Sequence, residues 1–130
     1  MAMTVADTDV LIDFLQGVDP GEGHIAREME RGALHTTVVS RFELLAGAKG
    51  RRQQRVVDQL LAALITLPLE SDAADRAADV RRTLDKEGAP IGMADSLVAG
   101  IVLVRRGSLI TRNRKHFSRI RDLTLVPIAS

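Results

Sequence analysis

The chain has 130 residues, 45% of them hydrophobic and only 2% aromatic, with 18 Lys and Arg against 17 Asp and Glu. That length suits one domain, residues 1–130, with one aliphatic core. The absence of cysteine excludes a disulfide framework, a thiolate nucleophile and a sulfur-bound zinc site, and the near-balanced net charge says nothing about partners.

Val5 and Ala6 end a short apolar segment terminated by Asp7, after which Val10, Leu11, Phe14 and Leu15 recur at helical spacing: strand, Asp, helix. Asp19-Pro20-Gly21, within Gly17 to Gly23, marks a turn, followed by a short helix with Ile25 and Met29 inward. Leu34 to Val39, rich in β-branched residues, reads as the second strand. A helix then begins at Ser40, runs through Leu44 and Leu45, and stops near Gly47. The stretch Gly47 to Arg52 reads as a basic connector into a helix whose inner stripe is Val56, Val57, Leu60, Leu61 and Leu64. Ile65 to Leu69 gives a brief strand. Ser71 is placed to cap a helix with Ala73, Ala77, Val80 and Leu84 buried, closed by Gly88. A loop through Pro90 and Gly92 leads to a helix starting near Ala94, apolar on nearly all sides from Leu97 to Val104 and so expected at the centre of the fold. Leu109 to Thr111 is a fourth strand, His116 to Ile120 a helical turn, and Leu123 to Ile128 a last strand. Strands interleaved with helices in this order predict an α/β fold, with a central parallel sheet of four to five strands covered by helices on both faces.

Ligands of such sheets bind beyond the carboxyl ends of the strands, where strand order reverses. Asp7 and Thr111-Arg112-Asn113 end strands, while Glu43 and Asp95 sit early in helices, so all can open onto one edge. Each has a plainer role as well. Asp7 can cap the helix after it, as can Asp9; Ser40-Arg41-Phe42-Glu43 matches a Ser-x-x-Glu capping box; Asp95 near a helix start is favoured by the macrodipole. Three carboxylates in core-forming segments together call for a shared compensating charge, for which a hard divalent cation is the natural choice. Asp13 and Asp58 read as solvated helix-face acids, and Asp72 with Arg76 as an ordinary i,i+4 pair. His24 and His35 fall in no ligand spacing; His116 lies near the expected site, where it can contact phosphate, although a surface histidine is the plainer reading. No Gly-x-Gly-x-x-Gly or Walker-type loop supports a nucleotide cofactor.

Charge distribution says more than net charge. From Ile101 onward the bases are Arg105, Arg106, Arg112, Arg114, Lys115, Arg119 and Arg121, and the one acid is Asp122. Such a surface suits a polyanion. The opening Met-Ala-Met-Thr-Val-Ala-Asp lacks the features of a signal peptide, and the longest apolar run, Leu97 to Val104, falls far short of the roughly 18 residues of a membrane span. A soluble cytoplasmic protein is expected.

The segments Asp-Thr-Asp-Val-Leu-Ile-Asp from Asp7, Ser-x-x-Glu-Leu-x-x-Gly from Ser40, Asp-Ser-Leu-Val-Ala from Asp95 and Thr-x-Asn-x-x-x-Phe from Thr111 together resemble the PIN-domain nucleases, most closely the VapC-type toxins of bacterial toxin–antitoxin pairs. The resemblance spans the whole chain. It implies a PIN-like fold and an endoribonuclease dependent on Mg²⁺ or Mn²⁺, usually a homodimer, held inactive by an antitoxin whose C-terminal segment occupies the active site. Carried over by motif, Asp7, Glu43 and Asp95 become metal-binding acids, with Asn113 as a further catalytic position. Arg112, Arg114, Lys115 and Arg119, joined by Arg51 and Arg52, would hold the RNA backbone. Many relatives carry an acid at the position of Asn113 or of His116; here neither is acidic, which implies a weakly held second metal. Two rivals differ in class. One is a phosphotransfer enzyme or receiver domain: Asp7-Thr8-Asp9 also resembles the nucleophile motif of haloacid-dehalogenase-like phosphatases, which need further lysine and paired-acid motifs, while a receiver would want an acceptor Asp where the third strand offers only Glu70. A PIN-like module that binds RNA without cutting it is the other, suggested by Asn113.

Overall fold

The computed structural model describes residues 3–128. Five strands lie in one fully parallel sheet: β1 (Thr4–Ala6), β2 (His35–Thr37), β3 (Ile65–Leu67), β4 (Ser108–Ile110) and β5 (Thr124–Leu125), in the order β3-β2-β1-β4-β5. Seven helices accompany them: α1 (Thr8–Gln16), α2 (Gly21–Arg31), α3 (Val38–Gly47), α4 (Gly50–Ala62), α5 (Ser71–Lys86), α6 (Met93–Val104) and α7 (Arg114–Phe117). No helix among the described residues is long and apolar enough to cross a membrane.

The sheet has apolar side chains on both faces, as a parallel sheet between helix layers requires. Val5 and Leu109 point into a cluster with Ala73, Val80, Leu84, Val98, Ile101 and Phe117, while their neighbours Ala6 and Ile110 point into the opposite one with Val10, Leu11, Ile25, Leu44, Val57 and Leu60. This alternation is the period-two signature of a strand. Helix α6 is central, as its all-round apolar sequence predicts. Its Gly100 lies so close to α5 that an added Cβ would collide with the carbonyl oxygen of Ala73 and with Ala77.

Strand order reverses at β1, with β2 and β3 to one side and β4 and β5 to the other. The crevice of such a sheet opens between the carboxyl ends of β1 and β4. Asp7 directly follows the first and Thr111 the second.

Several boundaries differ from the sequence expectation. Helix α3 begins at Val38 rather than Ser40, because Thr37 takes an extended backbone and accepts a hydrogen bond from the Ser40 amide, overriding the β preference of Val38 and Val39. Ser40 therefore does not form the Ser-x-x-Glu capping box. Arg51 and Arg52 belong to the first turn of α4 and not to a connector: Gly50 adopts φ +74, and Gln53 Oε1 accepts from the Lys49 amide at 2.7 Å. Glu70, not Ser71, holds the cap position of α5, while Gly88 at φ +72 closes that helix as expected. Arg76 meets Asp122 instead of Asp72, whose carboxylate accepts from the Ala73 amide. The last helical turn comes earlier, at Arg114–Phe117, and the last strand is only Thr124–Leu125.

The contact at Gly100 makes a simple test of this packing. Gly100→Ala should destabilise the chain by about 1–3 kcal/mol in urea unfolding, since backbone rather than a flexible side chain obstructs the new methyl group.

Candidate active site

Asp7 is 7% exposed. Its Oδ1 accepts from the Thr8 amide at 2.9 Å and its Oδ2 from the Thr111 hydroxyl at 2.8 Å. Burial pushes its carboxyl up to about 6, reinforced by Asp9 and, more weakly, Asp95, against the lowering effect of the Thr111 and Thr8 hydrogen bonds. Asp7 is thus the N-cap of α1, as its plainer reading held, and also the most deeply buried acid at the crevice.

Thr8 carries the site across to α3. Its hydroxyl donates to Glu43 Oε1 at 2.6 Å and lies 2.8 Å from the hydroxyl of Ser40. Glu43 is exposed at the rim. Ser40 is fully buried, so the residue expected to cap α3 instead supports the Thr8 hydroxyl that fixes Glu43.

The far wall is built on α6 and α7. Asp95, in the first turn of α6, accepts from Asn113 Nδ2 at 3.2 Å, and its Oδ2 lies 3.0 Å from His116 Nδ1. Asn113 Nδ2 and His116 Nδ1 are themselves 3.0 Å apart. Asn113 precedes the first residue of α7, and its own amide is held by the Thr111 hydroxyl at 3.0 Å. Phe117, fully buried, anchors that short helix in the core. His116 is therefore part of the constellation rather than a free surface histidine.

A clamp missed by sequence reasoning holds these walls together. Asp13, expected to be solvated, is 4% exposed and takes both arms of the Arg112 fork, Nε at 2.6 Å and Nη2 at 3.2 Å. One turn earlier, Asp9 accepts from the Arg112 amide at 3.0 Å, and burial raises its carboxyl. The available signal was the spacing Asp9-x-x-x-Asp13, which puts both acids on one face of α1. Arg112, assigned to RNA from sequence, has its guanidinium engaged with Asp13, although half of its side chain remains exposed. Arg114 bonds the Val126 carbonyl at 3.2 Å, and Lys115 and Arg119 are exposed nearby on the same turn and just after it.

Asp7, Glu43, Asp95 and Asn113 thus lie around the crevice at the sheet's reversal point. Chemically the arrangement offers hard oxygen donors beside a basic margin. A PIN domain family model matches residues 4–123. The chain belongs to the PIN domain family. Ribonuclease VapC10 of Mycobacterium tuberculosis is 33% identical to this PIN domain over 121 residues, covering 93% of this chain and 90% of that protein. The tRNA(fMet)-specific endonuclease VapC of Shigella flexneri is 24% identical over 127 residues, covering 95% and 96%. Among solved structures, DNA-bound VapBC from Salmonella typhimurium matches the PIN fold with a TM-score of 0.84 at 22% identity, covering 97% of this chain and 98% of that one. VapBC-1 from nontypeable Haemophilus influenzae matches at 0.83 and 25%, covering 95% and 96%.

The raised Asp7 carboxyl has a measurable consequence without metal. It holds its proton up to about pH 6 when folded, against an ordinary carboxyl value of 3.8. The folded state then binds more protons than the unfolded one between those values, so stability falls as pH rises through that window. In buffer containing EDTA, Asp7→Asn should therefore be more stable than wild type near neutral pH by about 1–3 kcal/mol, with the difference shrinking below about pH 4. Urea unfolding across pH checks this; a less stable variant near pH 7 would contradict it.

Proposed function

We propose that this PIN domain is a divalent-cation-dependent endoribonuclease, the toxin of a type II toxin–antitoxin pair, that hydrolyses RNA phosphodiester bonds. The observation that carries this reading is the grouping of Asp7, Glu43, Asp95 and Asn113 around one crevice, in a chain whose relatives are named ribonucleases and endonucleases.

The residues suit Mg²⁺ or Mn²⁺. Among the described residues no three His, Cys, Asp or Glu side chains form a ready-made metal nest. An ion such as Mg²⁺ needs only one or two carboxylates directly and keeps several waters. Asp7 is the strongest candidate to hold it, because a buried carboxylate beside two other acids gains most from a cation. When bound, the ion supplies an activated water and neutralises charge on the phosphoryl oxygens.

The chain's own residues account for the remaining requirements. Thr8 and Thr111 fix the orientation of Glu43 and Asp7, so neither carboxylate must be ordered when substrate arrives. Asp95 completes the acid set from the opposite side, joined to Asn113. Lys115 and Arg119 are exposed to receive the RNA backbone, with Arg114 and the open side of Arg112 beside them. Across the rim, Arg51 and Arg52 stand in the first turn of α4 without an acid to balance them, where the helix dipole disfavours cations. A polyanion would relieve that cost.

A groove of about 470 Å³ runs between α1, α3 and α4, lined by Ile12, Leu15, Leu44 and Val56, and reaches Glu43 and Arg52. It suits an apolar antitoxin segment ending at the acid site, and the solved structures of VapBC complexes are consistent with such a partner. A separate exposed stripe on α3, Val38, Phe42 and Leu45, with exposed Met93 at the start of α6, a helix that touches α3, supports a homodimer.

Purified protein free of antitoxin should cut total cellular RNA at few sites with Mg²⁺ or Mn²⁺ and not with EDTA. Asp7→Asn and Asp95→Asn should each lower the rate by at least about a hundredfold, with product 5′ ends mapping to the same sites as any residual cleavage. Retained RNA binding with no cleavage in any metal would favour the non-cutting module. Phe42→Glu should convert the dimer to monomer in size-exclusion chromatography with light scattering; an unchanged mass would place the dimer contact elsewhere.

A further inference from the structure

A cavity of about 250 Å³ lies between α5 and the segment that leaves α7, with none of the crevice acids in its lining; Arg76 and Glu87 stand on one side of it, Arg119, Arg121 and Asp122 on the other. A neighbouring cavity of about 320 Å³ shares Arg76 and Asp122 and adds Arg106 and Thr124. The two make one trough. Its sides continue the elements of the far wall of the active site: α5 leads through Gly92 to Asp95, and Arg119 follows His116 by three residues.

Four arginines line this trough against two acids. Arg76 is the only one of them in an ion pair among the described residues, 3.8 Å from Asp122, and Glu87 pairs with none. Asp79, on the adjoining strip of α5, is paired with Arg82. Arg106, Arg119 and Arg121 are exposed and have no carboxylate to neutralise them. Arg106 is also held at a conformational cost. It takes φ +55 just past the C-cap of α6, where glycine is the usual residue, and a side chain there is strained. Asp122, at φ +71, is the other non-glycine residue with positive φ among the described residues, and both line the same cavity. Strain of this kind gathers where a side chain is used.

We propose that this trough is a second contact for the RNA backbone, in which Arg106, Arg119 and Arg121 hold phosphates away from the one being cut and so make the enzyme select RNAs long enough to reach both places. The inference rests on the nuclease reading for its substrate, but backbone binding there needs neither metal nor cleavage. Asp95 and Arg106 stand at opposite ends of α6, roughly 15 Å apart by helix rise, a span that no single phosphate covers. A chain of regularly spaced phosphates does, and it relieves the repulsion among guanidiniums that a small anion would relieve at one point only. Arginine suits the task because its fork grips phosphate oxygens in pairs. The lining carries no aromatic ring, so contacts here are to backbone and read length and shape rather than base identity.

The test is fluorescence anisotropy with the full chain in EDTA, using an RNA hairpin of about 40 nucleotides and a single-stranded RNA of about five. The double variant Arg106→Gly, Arg121→Gln should bind the hairpin at least about tenfold more weakly and lower the slope of log affinity against log salt by about 2. Its affinity for the short RNA should change less than about twofold. Arg81→Gln removes one exposed charge from α5 outside the trough and should change hairpin binding less than about twofold. Because glycine suits the backbone at this position, Arg106→Gly should keep or raise the urea midpoint while binding falls, a combination that a structural role for the side chain would not give. Equal losses on hairpin and short RNA, no loss on the hairpin, or an equal loss in Arg81→Gln would each overturn the proposal. Arg121→Gln decides alone, by the same comparisons, if the double variant fails to fold. Cleavage of total cellular RNA by a double variant with full hairpin affinity would sink the trough and leave the nuclease standing. Length-dependent binding lost in the variant, when the wild type cuts nothing in any metal, would do the reverse.

Discussion

A carboxylate withdrawn from water at the end of the middle strand organises this molecule. Asp7 follows β1, which has β2 on one side and β4 on the other, so its side chain projects where the sheet's order reverses. A buried acid needs donors. Two supply them: the first amide of α1 and the hydroxyl that follows β4. Thr111 in turn holds the amide of Asn113, which joins Asp95. Satisfying one carboxylate thus fixes the loop that carries the opposite wall.

That loop would be free to swing were Arg112 not pinned twice, by its amide to Asp9 and by its guanidinium to Asp13. Two acids one turn apart on α1 accordingly have structural ties, while the acid capping the same helix faces the crevice. Separating the charges in this way leaves one of the three aspartates of a single short segment at the crevice and ties the other two to Arg112. Burial raises the carboxyls of both Asp7 and Asp9, and at Asp9 the amide and the charge of Arg112 oppose it.

Much of the fold was legible in the sequence because patterns with a long apolar period are robust. The stripe Ala73, Ala77, Val80 and Leu84 and the all-apolar run Leu97 to Val104 read correctly, as did the parallel sheet between helix layers. The errors cluster where local chemistry is ambiguous. Ser40 and Thr37 are both good caps, and only the extended backbone of Thr37 decides between them. Asp13 looks like any surface acid until Arg112, 99 residues away, is seen to reach it. At the site Asp7 follows a strand and Asp95 opens a helix, positions that periodicity marks, whereas Glu43 lies in the middle of α3. The supports of these acids carry no such mark: the contacts of Thr8 with Glu43 and of His116 with Asp95 depend on which helices meet, and periodicity does not encode that.

The bond from Thr111 to Asp7 joins residues 104 positions apart. Asp7, Glu43 and Asp95 all precede β4, and each lies on an element that can form from its own neighbourhood. The opposite wall is tied to Asp7 through the residues that follow β4. The wall that carries Asn113 and His116 reaches these acids only through the strand at Ser108–Ile110, which lies beside β1, and the turn at Arg114–Phe117, whose phenyl ring is seated in the core. A change that loosens the pairing of β4 with β1 would therefore open the site without touching any acid in it.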